Sequence, residues 1–311
     1  MNNNKAIKTL ETVNSVILGK QAQMREIMLA ILAGGHVLLE DIPGVGKTTA
    51  AEAFSHALSL ESRRVQFTPD VMPSDLTGFS VYRRDTEKFE YMKGSLFCNL
   101  LLADEINRTS PKTQSALLEA MEERRVSVEG VTRELPEPFI VIATENPAGS
   151  AGTQRLPESQ TDRFMVSLTM GYPDFEHELE MVMTEAEERR TESIAPVTDR
   201  EELLQMRHEV HEVFIKEEIC RYLLTLVCAT RSDPYITQGA SPRASLALAK
   251  MAKAAAWLDG RDYVTPADVT EQFPFVAAHR ITISPAARME GRTKQAVLQN
   301  ILDSVNLPEI K

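Results

Sequence analysis

Cysteine is scarce in this chain: among 311 residues only Cys98, Cys220 and Cys228 occur, an odd set with no C-x-x-C pair. A disulfide framework is therefore not expected, and the three should be plain buried or half-buried thiols in a reducing compartment. Long apolar runs are missing as well. No stretch approaches the ~18 apolar residues of a membrane-spanning helix, and Met1 to Leu10 is polar, without the apolar core of a secretion signal. The expectation is a cytoplasmic chain with no direct membrane insertion. Basic residues are in deficit, 34 Lys and Arg against 45 Asp and Glu, for a formal net charge of -11. Unassisted binding to nucleic-acid backbones or anionic membranes needs a cationic face, so neither is expected. Repeats of about 20 to 50 residues and low-complexity linkers are also absent.

What is present is enough apolar sequence for a large core. A hydrophobic fraction of 43% and a charged fraction of 25% over this length predict a folded chain of two closely packed domains. Gln21 to Ala33 carries apolar residues at helical spacing and stops at Gly34-Gly35, directly before the apolar run His36 to Glu40. A Pro/Gly turn and the Ala-rich helical pattern of Lys47 to Leu60 follow, giving strand, loop, helix. Arg64 to Phe67, Leu100 to Ala103, Phe139 to Thr144 and Met165 to Leu168 read as further short strands with helices between most of them. Such alternation predicts an α/β fold whose parallel sheet is covered on both faces.

After Gly171-Tyr172-Pro173 only helices are predicted: Phe175 to Arg190, Arg200 to Val213, Glu217 to Thr230, Pro242 to Leu258 and Pro266 to Ala277. Ser241-Pro242 and Thr265-Pro266 supply a cap and a first-turn proline for the last two. The expected division is residues 1–171 as an α/β core and residues 172–311 as a smaller helical domain.

Chemistry enters at Pro43-Gly44-Val45-Gly46-Lys47-Thr48-Thr49. Glycines let backbone N–H groups turn toward phosphate oxygens, and the following helix offers its N-terminus to the anion. Lys47 can reach the β and γ phosphates of ATP, and Thr48 can hold Mg2+. The full pattern has Gly six residues before the lysine, where this chain has Asp41. The apolar run Leu100 to Ala103 ends in Asp104-Glu105. Asp104 can join the Mg2+ shell, and Glu105 can polarise a water for attack on the γ phosphate. Asn146, just past the strand Phe139 to Thr144, can contact the γ phosphate or position that water. Arg163 and Arg243 complete the set of candidate catalytic residues, Glu105, Asn146, Arg163 and Arg243.

Together these segments resemble the MoxR family of AAA+ ATPases over essentially the whole chain. The resemblance is carried by Glu40 to Thr48, Asp104 to Arg108, Ala143 to Pro147, Leu156 to Glu158, Asp162 to Phe164, Gly171 to Pro173 and Gly239 to Ala244. It implies a five-stranded P-loop AAA+ core followed by an all-helical lid, with Asp41 itself common at its position. Lys47 and Thr48 become Walker A, Asp104 and Glu105 Walker B, Asn146 sensor 1, Arg163 an arginine finger acting on a neighbouring subunit, and Arg243 sensor 2. Sensor 2 contact with nucleotide from the first turn of a lid helix would couple lid angle to phosphate state. Ile17, Leu18 and Gly19 resemble the segment that packs on adenine.

Two hairpins are expected: Phe79 to Tyr82 with Phe89 to Met92 about the turn Arg83 to Lys88, and Arg125 to Val128 with Thr132 to Leu135 about Gly130. Their positions, within residues 79–92 and 125–135, resemble the branch that holds MoxR proteins and magnesium chelatase subunits. The resemblance further implies a homo-oligomeric ring, expected as a hexamer, acting as a chaperone-like remodeller with von Willebrand factor A domain partners, in complex maturation or metal-cofactor insertion. A nucleic-acid motor and an ATP-binding scaffold with little turnover are the alternatives; the acidic charge weighs against the first and Glu105 against the second. His208 and His211 sit three apart in a Glu-rich helix without a third ligand, so no metal is assigned to them. Trp257 and Phe273-Pro274-Phe275 read as packing residues, and the acidic stretch Glu176 to Glu192 as a solvated helix face.

Overall fold

The computed structural model describes residues 3–40, 45–146, 156–184 and 194–308. Helices α1 (Asn3–Asn14) and α2 (Gln21–Leu32) lead into β1 (Val37–Glu40), and α3 (Lys47–Ala57) follows the phosphate-loop segment. Next come β2 (Ser62–Gln66), the short α4 (Pro73–Thr77), the hairpin β3 (Gly78–Arg83) and β4 (Lys88–Lys93), and β5 (Leu100–Asp104). Helix α5 (Pro111–Glu123) runs into the second hairpin, β6 (Arg125–Val128) and β7 (Val131–Glu134), followed by β8 (Ile140–Glu145), the short α6 (Glu158–Thr161) and β9 (Val166–Leu168).

One five-stranded sheet results, in the order β2-β5-β8-β1-β9, with every pairing parallel. All five sequence-predicted strands are in it. Alternation along each strand divides the core in two. Val37, Leu39, Leu100, Leu102, Ile140 and Ile142 face one hydrophobic cluster, whereas Leu38, Leu101, Ala103, Val141 and Ala143 face the other. Burial on both faces is what a parallel sheet requires.

The second half is built from α7 (Phe175–Thr184), α8 (Arg200–Glu212), α9 (Glu217–Ser232), α10 (Pro242–Leu258), α11 (Pro266–Ala277), α12 (Pro285–Met289) and α13 (Lys294–Ser304). It is not wholly helical. A two-stranded ribbon, β10 (Ile236–Gln238) and β11 (Thr282–Ile283), closes it. Trp257, Leu248 and Phe273 lie in the same cluster as Val37 and Leu39, so sheet and helical half share one core. Their packing role is as expected. The capping expectations also hold: Ser241 accepts from the Arg243 N–H at the start of α10, and Thr265 with Asp268 forms a reciprocal box at the start of α11. Of the acidic stretch, residues up to 184 are described, and the exposed surface of α7 there includes Phe175, Leu179, Val182 and Met183, so it is not a purely polar face. Residues 185–190, the predicted continuation of that helix, lie outside the described residues.

Both hairpins form. Tyr82 pairs with Phe89 and Phe79 with Met92, while Glu129 and Gly130 both take positive φ, 54° and 76°, in a two-residue turn that suits a right-twisted ribbon. The hairpins touch: the Arg133 guanidinium lies 3.6 Å from the Tyr91 ring centroid, and Ser80 Oγ donates to Glu129 Oε2 at 2.5 Å.

Candidate active site

The carboxyl ends of β5, β8 and β1 bring the candidate residues to one edge of the sheet. Gly46 ends the loop at φ 84°, with open space where a Cβ would stand. It turns the chain so that Lys47 becomes the first residue of α3, followed by Thr48 and Thr49. Lys47 is buried, and Val45, Thr48 and Thr49 are half-buried. Pro43 and Gly44 lie outside the described residues.

Two strands away in the sheet, Asp104 ends β5 and is buried. Arg64 Nε donates to its Oδ2 at 2.8 Å, and Thr144 Oγ1 to its Oδ1 at 3.3 Å. Carboxylate oxygens retain further lone pairs. Asp104 and the Thr48 hydroxyl are hard oxygen donors of the kind that Mg2+ takes.

Glu105 adopts a left-handed conformation, φ 55° and ψ 48°, uncommon for a residue with a side chain. Its N–H donates to Thr144 Oγ1 at 2.8 Å, which holds the turn. The carboxylate is then gripped from three sides. Asn146 Nδ2 donates to Oε1 at 2.8 Å, and Gln66 Nε2 and Arg108 Nη1 donate to Oε2 at 2.8 and 2.6 Å. Burial opposes ionisation of this group, yet the bonds from Arg108, Asn146 and Gln66 prevail and hold its pKa below the ordinary carboxylate range. Glu105 is thus anionic at neutral pH, as a base for water must be.

Asn146 sits where β8 ends, between β5 and β1. Its backbone is fixed by Asn107, which donates through Nδ2 to the Asn146 carbonyl at 3.1 Å. Among the described residues its buried Oδ1 has no hydrogen-bond partner. A buried acceptor without a partner is costly, and a water bound beside Glu105 would satisfy it.

The two arginines stand elsewhere. Asp162, next to Arg163, accepts from Arg280 Nε at 2.8 Å and from Ser241 Oγ at 2.8 Å, and Ser241 caps the helix whose second residue is Arg243. Arg280 also donates to the carbonyls of Phe164 and Met165. Burial pulls the Arg280 pKa down to about 10 against the pull of Asp162. One network therefore positions both arginines, and both pair with Glu122 near the end of α5: Arg243 Nη2 with Oε1 and Arg163 Nε with Oε2, the latter at 3.4 Å.

That corner belongs to the amino end of β1. His36, just before β1, donates through Nε2 to the Met121 carbonyl at 3.1 Å and accepts at Nδ1 from the Val141 N–H at 3.0 Å. Burial lowers its pKa to about 4, so the ring is neutral. Lys47 lies beyond the carboxyl end of the same strand. At about 3.3 Å per residue, β1 separates the ends by roughly 13 Å. Arg163 and Arg243 thus stand beside Gly34, Gly35 and His36, the residues that precede β1, whereas the phosphate-loop segment follows it.

Ile17 of the expected adenine segment is buried in the core. Leu18 and Gly19 stay half-buried at the surface, with the His177 ring filling the space beside Gly19. Sequence reading singles out neither Gln66, Arg64, Glu122 nor Arg280, and it holds Asn107, Arg108, Thr144 and Asp162 only as parts of the segments that carry the resemblance, with no role of their own. The one signal available was position: Gln66 is the last residue of a strand paired with β5, opposite Asp104. No cluster of three or more His, Cys, Asp or Glu that could hold a metal occurs among the described residues.

Comparison with known proteins agrees with this geometry. Residues 36–166 match the model of the ATPase family associated with various cellular activities, and residues 228–301 match an AAA lid domain. YeaC of Bacillus subtilis is 45% identical over 97% of this chain and 94% of its own length. Chaperone MoxR1 of Mycobacterium tuberculosis is 37% identical over 96% of this chain and 81% of its own length. A crystal structure of a protein described as an ATPase from Cytophaga hutchinsonii superposes with a TM-score of 0.91 at 37% identity, covering 99% of this chain and 96% of that one. With the P-loop helix, the Asp104-Glu105 strand end and the lid all in place, the chain belongs to the MoxR family of AAA+ ATPases and hydrolyses ATP.

Proposed function

We propose that this ATPase works as a ring, expected to be a hexamer, in which each active site is completed by a neighbour, and that the ring remodels protein clients as a chaperone does. The carrying observation is the placement of Arg163 and Arg243 at the opposite end of β1 from Lys47. A guanidinium at that end of the strand is placed to neutralise the charge growing on the γ phosphate of the adjoining subunit. In this reading Pro43 to Thr49 hold ATP, Thr48 and Asp104 hold Mg2+, and Leu18 and Gly19 border adenine. Glu105 and Asn146 direct the water, and a nucleotide core of residues 1–171 moves against a lid of residues 172–311.

A chaperone role is supported by the name of the M. tuberculosis relative and by the hairpins. Tyr82 and Phe89 form an edge-to-face pair with centroids 5.4 Å apart, yet both rings are exposed. They lie outside the nucleotide pocket and offer an aromatic contact for a protein, for which we name von Willebrand factor A domain partners, in complex maturation or metal-cofactor insertion. No described helix is long and apolar enough to cross a membrane; with its three free thiols, we place the ring in the cytoplasm. Mixing Arg163→Ala with Lys47→Ala subunits tests the shared site: regained ATP hydrolysis supports it, and none in rings shown to have mixed counts against it.

A further inference from the structure

Glu122 has no part in the site as read from sequence, yet among the described residues it is the one carboxylate that pairs with both arginines. Its two oxygens are divided between them, Oε1 to Arg243 and Oε2 to Arg163. The surroundings make that sharing consequential. A cavity of 230 Å3 at this corner is lined by Arg124, Arg163, Arg243, Arg280 and Lys250, with Glu122 and Asp162 as its only carboxylates among the described residues. Arg280 already occupies Asp162. Without Glu122, Arg163 and Arg243 would face each other across a strongly cationic wall and separate by repulsion.

The backbone beneath Glu122 is fixed. The preceding Met121 carbonyl accepts from His36, and Arg124 Nη2 donates to the Gly34 carbonyl at 3.0 Å. The end of α5 is thereby pinned to the turn before β1, and Glu122 stands on it as a rigid post. Arg163 Nε is buried without a hydrogen-bond partner among the described residues, being within ion-pair reach of Glu122 but out of hydrogen-bond alignment. The pairing engages one nitrogen of each guanidinium and leaves most of its five N–H donors outside the pair.

We propose that Glu122 is a positioning residue for the trans-acting arginines: its carboxylate sets the spacing of Arg163 and Arg243 so that both meet one γ phosphate of the neighbouring subunit. The inference rests on the shared-site reading above and adds to it a residue that touches no nucleotide. Glu122→Gln removes the charge that holds the pair while keeping the side chain's size. Glu122 is 39% exposed, so the fold should persist. Turnover should fall roughly ten- to a hundredfold, the scale of a small misplacement of catalytic groups, with the affinity for ATP at the variant's own phosphate loop unchanged.

The test is phosphate release by rings of Glu122→Gln, alone and mixed with Lys47→Ala subunits, beside a control mixture of Arg163→Ala with Lys47→Ala. Rescue in both mixtures is expected, because Lys47→Ala subunits supply intact arginine pairs to the intact phosphate loops of the other variant. In an Arg243→Ala background, Glu122→Gln should cost much less than it does alone, as for residues acting through one another. Wild-type or raised turnover in Glu122→Gln overturns the proposal. So does failure of its mixture to recover while the Arg163→Ala mixture does, which would place Glu122 at its own chain's site. Failure of both mixtures removes the shared site itself, and the proposal with it.

Discussion

Glu26→Gln should stabilise this protein at alkaline pH and not at acid pH. Glu26, on α2, is buried against Gln272 on α11, and Gln272 Nε2 donates to Glu26 Oε1 at 3.3 Å. Glu26 Oε2 and Gln272 Oε1 are buried acceptors with no partner among the described residues. One proton on the carboxyl satisfies both by forming a paired acid–amide contact, and an ionised carboxylate satisfies neither. Burial accordingly raises the Glu26 pKa from 4.5 to about 7; Gln272 opposes that rise, Glu271 adds to it and Arg25 opposes it. Below the ordinary carboxyl pKa the folded and unfolded chains both hold the proton. Between 4.5 and about 7 only the folded chain does, so stability declines as pH rises through that interval and stays low above it. At ~1.4 kcal/mol for each tenfold change in proton affinity, the loss is about 3 kcal/mol. The amide of Glu26→Gln makes both bonds at every pH and removes the decline. Unfolding followed by the fluorescence of Trp257, the single tryptophan, at pH 5 and pH 8 reads the difference directly. The variant should match wild type at pH 5 and unfold several degrees higher at pH 8. An unchanged pH slope, or equal destabilisation at both, would refute protonation of Glu26 in the fold.

Two further outcomes concern catalysis and its use. Glu105→Gln should keep ATP affinity and slow hydrolysis roughly a hundredfold or more, as loss of a general base does; in wild type, because three donors depress the Glu105 pKa, kcat should show no acid limb from this group between about pH 6 and pH 8. Near-normal turnover of the variant would move the base elsewhere. Shortening the tip Arg83 to Lys88 should leave basal ATP hydrolysis intact while abolishing stimulation by, or remodelling of, a von Willebrand factor A domain partner. Rates and partner binding measured side by side decide it, and an equal response reduces the hairpin to a structural extension.

The features legible in the sequence were those whose physics is local. Leu100 to Ala103 is apolar throughout because β5 is buried on both faces, and Lys47 is preceded by a glycine because the chain needs positive φ there. The hairpins announced themselves by alternation about polar turns. Helix α1 was passed over because its buried residues, Ala6, Thr9 and Val13, are few and weakly apolar. The ribbon of β10 and β11 is too short to leave a period. Glu122 looks like one more charge in a run of them, and its value comes only from the fold, which carries Arg163 and Arg243 to it. The placement of those arginines was likewise invisible, since a motif names a residue type and not the end of the strand at which it will stand.

The most direct measurement of the shared site is the specific activity of an equimolar mixture of Arg163→Ala and Lys47→Ala subunits, each inactive alone, after exchange into common rings. With random placement, an intact phosphate loop meets an intact arginine pair at about one interface in four, as follows from head-to-tail ring geometry. Hydrolysis at about a quarter of the wild-type rate is the predicted result. A mixture as inactive as its parents, in rings proven to contain both subunits, would show that each chain completes its own site.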